Sequence, residues 1–316
     1  MRQNTFDAGP AAAMSFLISQ RTHIETKVYE TKYPDVTYAE LIPVDTSAPE
    51  WAPIVAVASV DARGELAFVG PNSNDINRAD VGYKLGTHPV QTAALGYGYS
   101  LEEINQARLM NMNLSADKAA AAMRIAEQGL NKLAYLGNVE AGYQGLFNTS
   151  TVSVAAAGKT IQAMVDAATT VAGAQELVTF FQQRIDVVYV TNTNTTFAPT
   201  HILLPPAQRN LLGSSILPFG GNMTLLQYLE ANLISGRSGR VQFVPDLSLK
   251  GAGAAGVDRM MVYTRSEETV KFHLPMGFNF QAAYQDSALS WFIPGILRTG
   301  GTEIRVPKAH AYFDGV

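Results

Sequence analysis

Glycine, lysine and threonine in succession can cradle a phosphate, and Gly158-Lys159-Thr160 is the first place in this sequence to test for it. A phosphate loop needs another glycine five residues before the Gly-Lys pair, so that backbone amides can close round the oxygens. Ser153 stands there, in an Ala-rich stretch with no strong strand before it. Gly251-Ala252-Gly253-Ala254-Ala255-Gly256 does carry the spacing of a dinucleotide fingerprint. The segment after it, Arg259–Tyr263, reads as a strand where a helix would have to cap the pyrophosphate, so a loop between strands is expected.

Other chemistries fare no better. The histidines His23, His88, His201, His273 and His310 show no pair at helical or strand spacing, as a local metal site would. His201 and His273 sit in apolar runs and read as structural. Glu102-Glu103, Glu267-Glu268 and Asp258 are charged neighbours on expected surfaces, with nothing to mark a catalytic dyad. There is no Gly-x-Ser-x-Gly elbow. Cysteine is absent, which removes thiolate nucleophiles, thiolate metal sites and disulfides. Asn113, Asn148, Asn194 and Asn222 open Asn-x-Ser/Thr triplets, read as chance without a secretory leader. Arg237 and Arg240 are the nearest approach to a basic patch. The expectation is no enzyme, no cofactor and no metal.

Composition agrees. In 316 residues, 47% are apolar and 16% charged, with a net charge of −4. The length suffices for one large or two modest cores. The charge argues against a dedicated nucleic-acid binder. Low charge suits a surface largely covered by copies of the same chain. The first residues lack the apolar core of a signal peptide, and no run of about 18 apolar residues could span a membrane.

The elements that would position any site run in an unusual order. Residues 1 to about 52, punctuated by Pro34, Pro43 and Pro49, read as an extended arm docked on something else. Residues 53–69 read as a strand with Val57 and Phe68, and 81–99 as its return with Tyr83. Between them lies the turn signal Gly70-Pro71-Asn72-Ser73-Asn74-Asp75. Such a hairpin has no core of its own and needs a partner surface. Ser100-Leu101-Glu102-Glu103 is a capping box opening a short helix to about Met112. Ser115 then offers an N-cap to a helix over 116–136, about 30 Å long. Met123, Ala126, Leu130 and Leu133 form its apolar stripe, and Gly137-Asn138 ends it.

Beyond the loop Gly142-Tyr143-Gln144-Gly145-Leu146-Phe147-Asn148, residues 160–184 read helical and Ile185–Thr191 as strand. His201–Leu204 reads as a strand running into a helix opened by Pro205-Pro206. A helix over Thr224–Leu233 and strands at Val241–Val244, Arg259–Tyr263 and Val270–Leu274 follow. The end reads as strands around a Gly300-Gly301 hairpin signal.

This succession resembles the major capsid proteins of tailed bacteriophages, the Hong Kong 97-like fold family. Two stretches carry the resemblance: the long helix with the Gly-x-x-Gly-Leu-x-Asn turn after it, and His201-Ile202-Leu203-Leu204-Pro205-Pro206-Ala207. The resemblance implies an α+β fold divided into an N-terminal arm (1–52), an extended hairpin loop (53–99) and a peripheral domain with its spine helix (100–145). An α/β axial domain (146–285) and closing peripheral strands (286–316) complete it. It implies a structural protein that self-assembles as hexamers and pentamers into an icosahedral shell round double-stranded DNA, contacted non-specifically. The expected location is the virion, after assembly in the host cytoplasm. Scaffolding, decoration and portal proteins would be separate partners. Met123, Ala126, Leu130 and Leu133 would pack the spine, and Val57, Phe68 and Tyr83 would make inter-subunit hairpin contacts. Some relatives crosslink through Lys and Asn; Lys84 lies on the hairpin, but no crosslink is expected. The alternatives are an encapsulin-like nanocompartment shell, an α/β enzyme, and a decoration or tail protein.

Overall fold

In the computed structural model, the described residues are 35–66, 68, 77–110, 114–218, 222–236 and 239–316. Val36–Val316 form one unit. At its centre is a five-stranded sheet of order β5-β14-β8-β6-β7, formed by Ser153–Ala156, His310–Asp314, Arg259–Tyr263, His201–Leu204 and Gln242–Pro245. β8 is buried along its whole length, as a strand covered on both faces must be. The two-residue period then divides its side chains between two cores. Met260, Val262, Ile202, Leu204 and Phe313 face α4 (Ile161–Ala167), α5 (Val171–Asp186), α6 (Pro206–Ser214) and α7 (Leu225–Asn232). Met261, Tyr263, Leu203 and Tyr312 face the other way, onto Ala126, Leu130, Tyr135 and Phe147.

That second core is closed by α3, Leu114–Leu136. Ahead of it, α2 (Leu101–Met110) begins with the expected capping box: Glu103 N donates to Ser100 Oγ, and Ser100 N to Glu103 Oε2, both at 3.1 Å. α3 already includes Leu114, so Ser115, expected just ahead of the helix, lies within it. A second sheet is organised by β12 (Ser290–Thr299). β4 (Gln91–Ser100) pairs along its full length on one side, and β10 (Met276–Phe280) and β11 (Tyr284–Ser287) pair with parts of it on the other. β1 (Val44–Asp45), β9 (Val270–His273) and β13 (Gly301–Ile304) make a third sheet. β2 (Ile54–Arg63) and β3 (Asp80–Pro89) make a two-stranded sheet and, among the described residues, pair only with each other.

Several expectations need correction. Residues 81–99 are not one hairpin arm: the ladder with β2 ends at Pro89, and after Val90 the chain joins β12. Ile185–Thr191 is helical, the end of α5 running into a π-helical turn over Val187–Asn192. Its β-branched residues suggested a strand, but Ile185 and Val188 are fully buried among the α4–α7 helices and packing overrides propensity. Gly300-Gly301 is no hairpin. β12 and β13 belong to different sheets, and Gly301, at φ 70°, lets the chain turn between them. The closing stretch also divides, since β14 inserts between β5 and β8. Part of the supposed arm belongs to this chain's own body. Leu41 and Ile42, in and after the one-turn helix α1 (Tyr38–Leu41), are buried in the second core. Residues 1–34, Val69 and the turn at 70–75 lie outside the described residues.

Candidate assembly surface and its anchoring junction

The β2–β3 ladder sorts its side chains by parity. One face carries Ile54, Ala56, Ala58, Val60 and Ala62 opposite Pro89, Thr87, Leu85, Tyr83 and Val81. All ten are exposed, Val60 at 63%, Tyr83 at 76% and Leu85 at 70%. A ten-residue ladder spans about 33 Å, and an apolar face of that length left to water marks an interaction surface. The three residues expected to make hairpin contacts do not share it. Tyr83 lies on this face, Val57 is half-buried on the opposite one, and Phe68, beyond the strand end, is fully exposed. A run with apolar residues at 54, 55, 57 and 60 cannot reveal its parity until the register is known.

The stripe on α3 is buried only toward its C-terminal end. Ala122, Ala126, Leu130 and Ala134 are buried and Leu133 packs against the same core, while Met123 is 48% exposed. The helical period sets the face that turns inward, but the core ends before the helix does.

The turn after α3 fastens the helix to the rest. Tyr143 and Asn138 exchange two backbone hydrogen bonds at 2.9 Å. Leu146 N donates to Ala134 O at 2.9 Å, Phe147 N to Tyr135 O at 3.0 Å, and Asn148 Nδ2 to Leu136 O at 2.5 Å. Carbonyls left over at the helix end are thus satisfied. Gly137 sits at φ 68°, and a Cβ there would lie 2.3 Å from Tyr143 O. A Cβ on Gly145 would lie 2.3 Å from Tyr135 O. Arg259 locks this loop to the sheet. It donates to Asp314 through Nε at 2.6 Å and Nη2 at 2.9 Å, and through Nη1 to Phe147 O at 2.7 Å. Sequence reasoning missed Arg259; a lone cation opening the buried strand Arg-Met-Met-Val-Tyr was the available signal.

The hairpin root is held by polar groups. His88 Nε2 bonds Gly300 O at 2.5 Å, Val90 N donates to Pro53 O at 2.9 Å, and Tyr143 Oη donates to Pro89 O at 2.9 Å. The His88 and His273 rings lie 5.6 Å apart, so these two histidines are not isolated. His273 Nε2 meets Glu303 Oε2 at 2.8 Å and its Nδ1 is 3.7 Å from Asp45 Oδ2. Burial pushes His88 below its ordinary pKa. Burial alone would raise the Asp45 carboxyl, but hydrogen bonds from Ser47 and Lys271 hold it at about 2.

The motifs that suggested ligands serve the fold. Lys159 pairs with Glu176, and Thr160 caps α4 by accepting from Ala163 N at 3.3 Å. In the glycine loop, Gly251 N donates to Asp258 and Ala254 N to Asp314, at 2.9 and 3.0 Å. Among the described residues no group of three His, Asp or Glu could hold a metal ion, and no helix is long and apolar enough to cross a membrane.

The sequence model of the family described as Major capsid protein matches residues 64–316. This chain belongs to the major capsid protein family. Its fold is similar to that in the capsid of Myoviridae phage XM1, with a TM-score of 0.79 at 19% identity, covering 94% of this chain and 98% of that one. The capsid of a native GTA particle gives 0.63 at 10% identity over 98% and 99%. Mycobacterium phage Ogopogo gives 0.61 at 10% over 96% and 99%. No match was found among curated proteins. The protein is therefore a structural component of a capsid, with mixed helix and sheet, that assembles with copies of itself.

Proposed function

We propose that this capsid protein tiles an icosahedral head as hexamers and pentamers, through a division of labour among its parts. The β2–β3 hairpin is the extended loop that reaches a neighbouring copy. The α2–α3 stretch, with the sheet around β12, is the peripheral domain. The five-stranded sheet with α4–α7 is the axial domain, lining the centre of each ring of subunits. The observation that carries this reading is the hairpin face itself: ten exposed, mostly apolar positions on a ladder with no third strand among the described residues. Two strands alone are marginal in water, so the hairpin gains its stability when a second copy covers it. Repeated head-to-tail, such contacts close into rings and then a container. Phe68 extends the same contact beyond the strand end. Double-stranded DNA inside is contacted non-specifically, because a chain of net charge −4 does not grip phosphates. Scaffolding and portal functions belong to other proteins.

The test is the double variant Tyr83→Asp with Leu85→Asp, examined by electron microscopy and sedimentation beside the wild type. The expected result is a chain that melts as the wild type does when unassembled, yet forms no particles. Particles of normal size and yield from this variant refute the hairpin assignment.

A further inference from the structure

Arg265, two residues beyond the end of β8, is a half-buried cation. No carboxylate among the described residues comes within ion-pair distance of it. Its Nε is buried and finds no hydrogen-bond partner there, and Nη2 reaches only Ala39 O, at 3.4 Å. A guanidinium carries five donors in a planar fork, and here the chain uses almost none of them.

The surroundings are built for an oxygen ligand. Arg265 lines an open cavity of about 730 Å³ together with Thr195, Thr196, Thr200, Thr264 and Ser266. Thr200 and Thr264 are committed: Thr200 Oγ1 accepts from Arg265 N at 2.8 Å, and Thr264 Oγ1 donates to Ala198 O at 3.0 Å. The Thr195 and Thr196 hydroxyls have no partner among the described residues. The turn presenting them follows the π-helical Val187–Asn192 and holds Asn194 and Thr195 at φ 48° and 66°. Two adjacent non-glycine residues in the left-handed region are a strained arrangement of the kind that persists where a surface is put to use. Burial and the charge of Arg265 press His201 down to about 4, so it brings no second cation at neutral pH.

We propose that Arg265, with the Thr195 and Thr196 hydroxyls, receives an aspartate or glutamate side chain from a second copy of this chain. The proposal rests on the shell reading above and adds a specific contact to it. A nucleic-acid backbone would call for several cations in a row, and among the described residues that line the cavity Arg265 is the one cation. A single fork suits a single carboxylate, bound bidentately. The chain has carboxylates to offer, with 27 acidic against 23 basic residues.

The experiment compares Arg265→Gln and Arg265→Lys with the wild type, using full-length chains. Assembly is followed against concentration by sedimentation and microscopy, and the melting temperature of the unassembled chain is recorded. Arg265→Gln should raise the concentration needed for assembly by about tenfold or more, with melting unchanged. Arg265→Lys, which keeps the charge and loses the fork, should fall between. Assembly of Arg265→Gln at the wild-type concentration overturns the proposal, and so does a lowered melting temperature, which would give the cation a role within its own subunit. Normal empty shells from Arg265→Gln that fail only to retain DNA would assign the site to phosphate and also overturn it. A wild-type chain that stays monomeric at every concentration overturns the shell reading together with this one; normal assembly by the variant overturns this one alone.

Discussion

Gly145→Ala should damage this protein far more than Gly142→Ala, although the two positions share one loop. At Gly145 the new Cβ would stand 2.3 Å from Tyr135 O, 2.4 Å from Tyr135 C and 2.5 Å from Gly137 N. All three are backbone atoms at the end of α3 and cannot swing away, so the loop must retreat by roughly 1 Å to restore ordinary contact. That retreat breaks or stretches Leu146 N to Ala134 O and Phe147 N to Tyr135 O, each worth about 1 kcal/mol. It also withdraws Leu146 and Phe147, both fully buried, from the core they fill. The sum is about 3–5 kcal/mol, in the range of severe overpacking. At Gly142, φ is +75° but nothing lies within 4 Å of the added Cβ, so only the left-handed backbone costs, about 1 kcal/mol. At roughly 2 °C per kcal/mol, thermal melting of the unassembled chains should separate the two variants by several degrees. Equal melting temperatures would show that the loop yields freely and that the junction does not hold α3 in place.

Asp314→Asn should cost about 3–5 kcal/mol in denaturant unfolding, because it leaves Arg259, whose side chain is 9% exposed, as a buried unpaired charge. Acid should destabilise the fold early. His310 is fully buried and its pKa is pressed by that burial to about 4, against about 6.5 in the unfolded chain. The unfolded state takes up the proton first, so stability present above about pH 6.5 declines as pH falls toward 4, by roughly 3 kcal/mol; His310→Asn should flatten that part of the melting curve. Ala126→Glu places a carboxylate among Leu130, Tyr135 and Phe147, and micrographs should show aggregate instead of shells; normal particles would remove α3 from the core.

Several readings that needed only neighbours in sequence held, although the local reading of Ile185–Thr191 as a strand did not. The Ser100–Glu103 box, the strand Arg259–Tyr263 and the proline-opened helix after Leu204 are local events, determined by hydroxyls, β-branched residues and a fixed φ. Readings that needed partners distant in sequence went astray for an identifiable reason. Nothing within residues 81–99 says that pairing transfers at Val90 from β2 to a strand two hundred residues away. Nothing in Gly300-Gly301 separates a hairpin from a change of sheet, since both ask for the same left-handed glycine. The candidate contacts show the same limit: residue type alone does not say that Tyr83 falls on the exposed face of the ladder and Val57 on the opposite one.

The two cores and the hairpin face follow from one pattern applied under different cover. In β8 every residue finds cover, alternate side chains entering alternate cores, because helices stand on one side of the sheet and α3 on the other. In β2 and β3 the same alternation yields a face with Val55 and Val57 half-buried and a face with no cover. A soluble monomer would gain by replacing Val60, Tyr83 and Leu85 with polar residues, which cost nothing within this chain. The proposed function accounts for their staying apolar, because another surface then takes them out of water. Burial in the body stabilises one subunit, while under the proposed function the same residue types on the hairpin stabilise only an assembly, so damage to each should be separable by experiment: melting reports the first and particle formation the second.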